Sequence, residues 1–341
     1  MTNSLPYGTE DLDPGGVSDS DGHPPLRLRC YVRGCTEILR RVTREQPGEV
    51  CPSHGIRLHC SGNKGTYTYA DARRNLIVDG DLAAKRVIGH PFKHETRFEN
   101  ENSEDALTWN VFRSFQHTGR LHEVARLITG QELHDEPRLY LWGLSLSDDS
   151  FAPWPLLIQA RERFERRLPV VRPLTEPDIA LHLPGKYLIL IEAKFTSVNP
   201  TYVEGPRKDA TSLTKTELID IYQDRQLDLL DIERARSAAL VHYQFWRNFI
   251  FAGWMALGGG ESAYLGNLTR AGREAKSCAA FASLIRPANA DRFSHFSWED
   301  VFRCGAEDLG LATMRRYLQT KTAHLARAFA LPVYDPFLIG T

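Results

Sequence analysis

The pattern of apolar and polar positions says most between residues 176 and 195, Glu-Pro-Asp-Ile-Ala-Leu-His-Leu-Pro-Gly-Lys-Tyr-Leu-Ile-Leu-Ile-Glu-Ala-Lys-Phe. The run from Tyr187 to Phe195 lacks the alternation of a half-exposed strand, so it predicts a strand buried on both faces. Pro184-Gly185-Lys186 marks the turn into it from an earlier strand. A three-residue loop there pairs residue 183 with 187 and, counting outward, Asp178 with Glu192, whereas a two-residue loop would shift the register by one and put the pair on opposite faces. Glu192 and Lys194 fall on one face, because strand side chains alternate. Opposed carboxylates lie roughly 4.5–5.5 Å apart at Cβ and repel, and burial of such charge demands a counter-charge or a metal. Two hard oxygen donors suit Mg2+ better than zinc.

Elsewhere the pattern predicts short strands at 66–69, 76–78, 138–144 and 263–268. Asn100 to Ser103 is a helix start, and the helix runs through Leu107, Val111 and Phe115 to about residue 129. Glu104 heads its apolar stripe, with Asp105 and Glu101 as substitutes. Further helices are predicted at 155–168, over 219–257 as one or two, at Ser297 to Asp300, and at 311–331. Residues 197–218 lack periodicity and carry Arg207, Lys208 and Lys215, so this segment is expected to fold over a substrate backbone. Residues 1–25 hold five acidic residues and no Lys or Arg. They predict a disordered acidic tail.

Four of the six cysteines lie within residues 30–60. Cys30 and Cys35, then Cys51 and His54, make two short ligand pairs, the spacing of a zinc ribbon closing on one Zn2+. Cys60 is an alternative to His54. Cys278 and Cys304 stand alone and read as buried thiols.

Pro177-Asp178 followed by Glu192-Ala193-Lys194 resembles the PD-(D/E)xK, or restriction-endonuclease-like, nuclease superfamily. The resemblance covers about residues 100–250. It implies an α/β fold with a central mixed β-sheet flanked by helices, here joined to the small N-terminal zinc ribbon. The implied organisation is a tail at 1–25, a ribbon at 26–70 and a nuclease-like domain at 71–341. The family pattern adds an acidic residue on an earlier helix, which Glu104 supplies, and a Gln on a later one. Gln244 supplies the latter, with Gln223 or Gln226 as alternatives, and Arg247 on the same helix is a candidate DNA contact. The resemblance implies an endonuclease in which Asp178, Glu192 and Glu104 hold Mg2+ and Lys194 stabilises the transition state. Double-stranded DNA is the expected substrate, a homodimer the arrangement that cuts both strands, and bacterial defence or restriction a natural setting. The alternative is a zinc-ribbon protein that binds nucleic acid without cutting it, on a nuclease-like scaffold.

Composition changes this picture little. Lys and Arg number 42 against 43 Asp and Glu, a formal net charge of −1, so any DNA contact must come from local patches rather than a basic chain. No apolar stretch is long enough to span a bilayer, and a cytoplasmic protein without a membrane partner is expected.

Overall fold

The computed structural model describes residues 5–13, 25–61, 64–93, 95–147, 150–166, 168, 174–203, 213–224 and 226–332. The chain forms two compact units. The first comprises Met1–Lys85, Thr96–Ser114 and Gly305–Thr341, and the second Arg86–Glu95 and Phe115–Cys304. The units therefore do not divide at residue 70, the boundary expected from the cysteine spacing.

The first unit opens with the antiparallel pairs β1 (Arg27–Arg29) with β2 (Ile38–Arg40) and β3 (Ile56–Ser61) with β4 (Lys64–Tyr69). They close over a core of Leu28, Leu39, Ile56, Leu58, Tyr67 and Tyr69. Residues 5–13, expected to stay disordered, pack here instead. Leu12 is buried and bridges to Val32, and the Tyr7 ring stacks on Tyr69. These two side chains give an otherwise acidic segment enough apolar surface to dock. After α1 (Gly80–Arg86), α2 (Glu104–His117) supplies Trp109 and Asn110, which bond to the Val78 and Asn75 carbonyls. The Ile77 amide donates to Asn110 Oδ1 in return, so residues 76–78 bond to a helix and form no strand.

The second unit follows the order α3 (Leu121–Thr129), β5 (Arg138–Leu141), β6 (Leu144–Ser145), α4 (Pro155–Glu165), β7 (Ile179–Leu183), β8 (Tyr187–Ala193), β9 (Thr201–Val203), α5 (Lys215–Ile221), α6 (Ile232–Ser237), β10 (Leu240–His242), α7 (Tyr243–Leu257), β11 (Ser262–Thr269), α8 (Ala275–Ala282), β12 (Phe293–Ser297) and α9 (Trp298–Cys304). The single helix expected to 129 breaks at Gly119, which takes a φ of 66° that favours glycine. Six strands form a mixed sheet in the order β12-β11-β8-β7-β5-β6. β7 runs antiparallel to both β5 and β8, and β11 lies parallel to both β8 and β12. Leu183 pairs with Tyr187 and Ile179 with Ile191, the register expected of a three-residue turn. Every residue of β8 is buried, as its unbroken apolar run predicts.

Helices cover both faces of this sheet. Ala180, Leu188, Leu190, Ala263 and Leu265 pack with Phe245, Phe249 and Ala252 of α7. On the other face Gly266 approaches Ile128 of α3, and an added Cβ would lie 2.9 Å from Phe296. The chain returns to the first unit as α10 (Ala312–Thr320) and the short pair β13 (Thr322–Ala323) with β14 (Ala326–Arg327). The helix expected over 311–331 stops at Thr320, beyond which Lys321 is buried and donates to the Glu101 carbonyl at 2.5 Å. Among the described residues no helix is long and apolar enough to cross a membrane.

Candidate functional site

In the first unit two tight turns converge. Cys35 donates its amide to the Val32 carbonyl, and Gly55 donates to the Cys51 carbonyl. These turns bring the ligand atoms of Cys30, Cys35, Cys51 and His54 within 4.8 Å of one another. Cys35 Sγ is 3.9 Å from Cys51 Sγ, and His54 Nδ1 is 3.4 Å from Cys51 Sγ and 3.7 Å from Cys30 Sγ. A tetrahedral zinc with ordinary bond lengths needs about 3.8 Å between sulfurs and about 3.5 Å from sulfur to nitrogen. The donors thus form a Cys3His set that could hold a metal such as zinc. Burial, chiefly, pushes the Cys30 thiol up to about 12, so loading a cation there must release protons. Cys60, the alternative fourth ligand, lies on β3 opposite Gly65 and outside this group. Tyr7 and Arg74 both donate to the His54 carbonyl, so the N-terminal segment buttresses the second turn.

In the second unit the end of β8 carries charge into the core. Glu192 and Lys194 follow Leu188 and Leu190 on the face toward α7, and they are only 1% and 7% exposed. Lys194 Nζ lies 2.5 Å from Glu192 Oε1. Asn248 of α7 donates its amide to Glu192 Oε2 at 2.8 Å. The β7–β8 ladder, extended by one pair, sets Asp178 opposite Glu192, and Asp178 Oδ2 accepts the Ala193 amide at 2.9 Å. Asn248 lies one turn beyond Gln244 on α7, and no motif in the sequence assigns it a role. It is the helix residue that touches Glu192.

Buried polar atoms without partners gather on the same helix. They include Gln244 Oε1, Arg247 Nε and Asn248 Oδ1, and His242 Nδ1 just before it. Such groups are uncommon in native interiors. Arg247, expected to meet DNA, is buried instead; its guanidinium bonds the Tyr243 hydroxyl at 2.8 Å and lies over that ring. Burial opposes its charge, but the Tyr243 and Tyr222 hydroxyls with Glu165 and Glu192 outweigh it and hold the group protonated. Lys215 is also buried rather than on a DNA-facing loop. It begins α5 and donates to the Arg236 and Ala238 carbonyls at 2.6 and 2.7 Å, the last acceptors of α6. Arg207 and Lys208 lie outside the described residues. Glu104 opens α2 in the first unit. Among the described residues, the carboxylates form no metal-ligating group comparable to the Cys3His set.

A second polar cluster lies on the next strand. Asn267 of β11 is in register with Glu192, and its amide donates to Glu274 Oε2 at 3.1 Å and to Cys278 Sγ at 3.1 Å. Glu274 also accepts the Asn199 amide N–H at 2.6 Å and the Asn199 side chain. No motif in the sequence singles these residues out. Comparison of the chain with family models, with characterised proteins and with solved structures finds no match in any of the three.

Proposed function

We propose that the second unit is a Mg2+-dependent DNA endonuclease of the PD-(D/E)xK kind, and that the Cys3His group is a structural zinc site. One observation carries the reading: an ion pair, Glu192 with Lys194, is buried at the carboxyl end of the central strand, with Asp178 in register beside it. Burying two ions costs several kcal/mol each, and an apolar pair of similar size is often as stable. The carboxyl ends of parallel strands are also where α/β sheets bind ligands. The order Asp strand, Glu-x-Lys strand, then a helix bearing Gln244 agrees with the family pattern.

The donors fit a hard divalent cation in kind. Asp178 and Glu192 would hold it, and Asn248, which bonds Glu192, has an orphaned Oδ1 as a further oxygen. Bound Mg2+ supplies an activated water and neutralises charge on the leaving oxygen. The chain's own residues do the rest. Asn248 orients the Glu192 carboxylate, and Lys194 places an ammonium where negative charge grows on the phosphoryl group. Gln244, one turn before Asn248 on α7, would position the scissile phosphate.

A non-cutting nucleic-acid binder is the competing reading. It is favoured by the fact that both Glu192 oxygens already have protein partners. Nicking of supercoiled plasmid separates the two. The proposal expects nicking with Mg2+, none when Mg2+ is omitted, and none by Asp178→Ala. Equal nicking by the variant, or none by the wild type, overturns it.

A further inference from the structure

A groove of about 500 Å3 lies between β10, the end of α6 and α8. Its floor is apolar, built from Leu240, Ala280 and Leu284, and its rim carries Arg234 and Lys276. No Asp or Glu lines it, whereas the two larger clefts around Arg163 both include Asp220. An open groove with cations and hydroxyls along its edge suits a phosphodiester backbone, whose sugars are largely apolar and whose phosphates are anionic.

Three further observations point the same way. The first turn of α8 opens on this groove with Lys276 and Ser277, and no side chain caps it. An uncapped first turn is a place where an anion is favoured. His242, only 3% exposed, lines the groove and leaves Nδ1 without a partner. The loop into α8 also carries Arg270 and Arg273. Glu274 pins that loop to Asn199 and to Asn267, the residue in register with Glu192. Adjacent strands are about 4.8 Å apart, so the groove's α8 edge is anchored at the same end of the sheet as Glu192.

We propose that this groove binds one strand of a DNA backbone, with Arg234 and Lys276 contacting phosphates, and leads it toward Glu192 and Lys194. The proposal rests on the nuclease reading for its substrate and replaces Lys215 and Arg247 as the expected DNA contacts. Binding of a fluorescein-labelled DNA duplex to the full chain, followed by anisotropy over a salt series, tests it. Arg234 and Lys276 are exposed, so Arg234→Ala/Lys276→Ala should keep the wild-type melting temperature. The double variant is expected to bind about tenfold more weakly and to lose about 2 from the log–log salt slope, near one per phosphate contact. Arg316→Ala, an exposed site in the first unit, should change neither. Wild-type affinity and slope in the double variant would overturn the groove alone. A wild type that binds no DNA would overturn the groove and the nuclease reading together. Binding through the groove with no cutting in Mg2+ would sink the nuclease reading and leave the groove standing.

Discussion

Glu192 shows how far a residue's chemistry can be read before its neighbours are known. An apolar run ending in Glu-x-Lys implies buried charge, and the turn at 184–186 implies that Asp178 stands opposite. Both follow from alternation and loop length, which are local. The Asn248 partner was hidden, since helical spacing puts it on one face with Gln244 without saying which of the two reaches the strand. Lys215 and Arg247 misled for a related reason. Long aliphatic stems let a charged head be drawn inside when carbonyls or a hydroxyl await it, and no local pattern announces those acceptors. Lys321 is another buried cation, held by the Glu101 carbonyl, and burial pulls its pKa from 10.5 to about 8. Between pH 8 and 10.5 the unfolded chain therefore binds more protons at this residue than the folded chain does. Stability from this group rises with pH across that window and is lost as pH falls through it. Chemical denaturation of wild type and Lys321→Met should show the wild type gaining on the variant from pH 8 toward 10. A constant difference would mean that Lys321 titrates normally.

Elements were legible where one periodicity ran unbroken. β8, β11 and the hairpin register follow from their apolar runs and the Pro-Gly turn. The region 219–257 did not yield in the same way, because its helices are short and interrupted. Asp231 caps α6 through the Arg234 amide, and the principal helix begins only at Tyr243, after β10. Those breaks depend on β10 pairing with β9, a non-local contact that helical propensity ignores. Lys215 ties this region together by bonding the carbonyl end of α6 from the first residue of α5. Lys215→Ala should therefore cost about 2–3 kcal/mol, since two part-buried carbonyls lose a charged donor. Urea denaturation measures this cost, and DNA affinity should not change. Unchanged stability with weakened DNA binding would restore Lys215 to the substrate path.

For the chain as a whole, cysteine spacing was the strongest signal in the first unit, because two short turns closing on one ion leave little freedom in ligand choice. It did not reveal that residues 5–13, α2 and the segment after Gly305 build on that unit, since those contacts span the length of the sequence. Zinc should be stoichiometric by colorimetric release, and Cys51→Ser should abolish it. Because Tyr7 leans on the His54 carbonyl, chelation should also open the N-terminal segment to proteolysis. Full protection of the apo chain would show that the metal does not hold this unit. The proposed chemistry of the second unit is exposed most directly by Asp178→Asn. That change keeps an oxygen for the Ala193 amide and removes only the charge. In single-turnover cleavage of a DNA duplex with Mg2+, Asp178→Asn should lose about 100-fold or more in rate with the melting temperature retained. Cleavage by Asp178→Asn at the wild-type rate would contradict that chemistry.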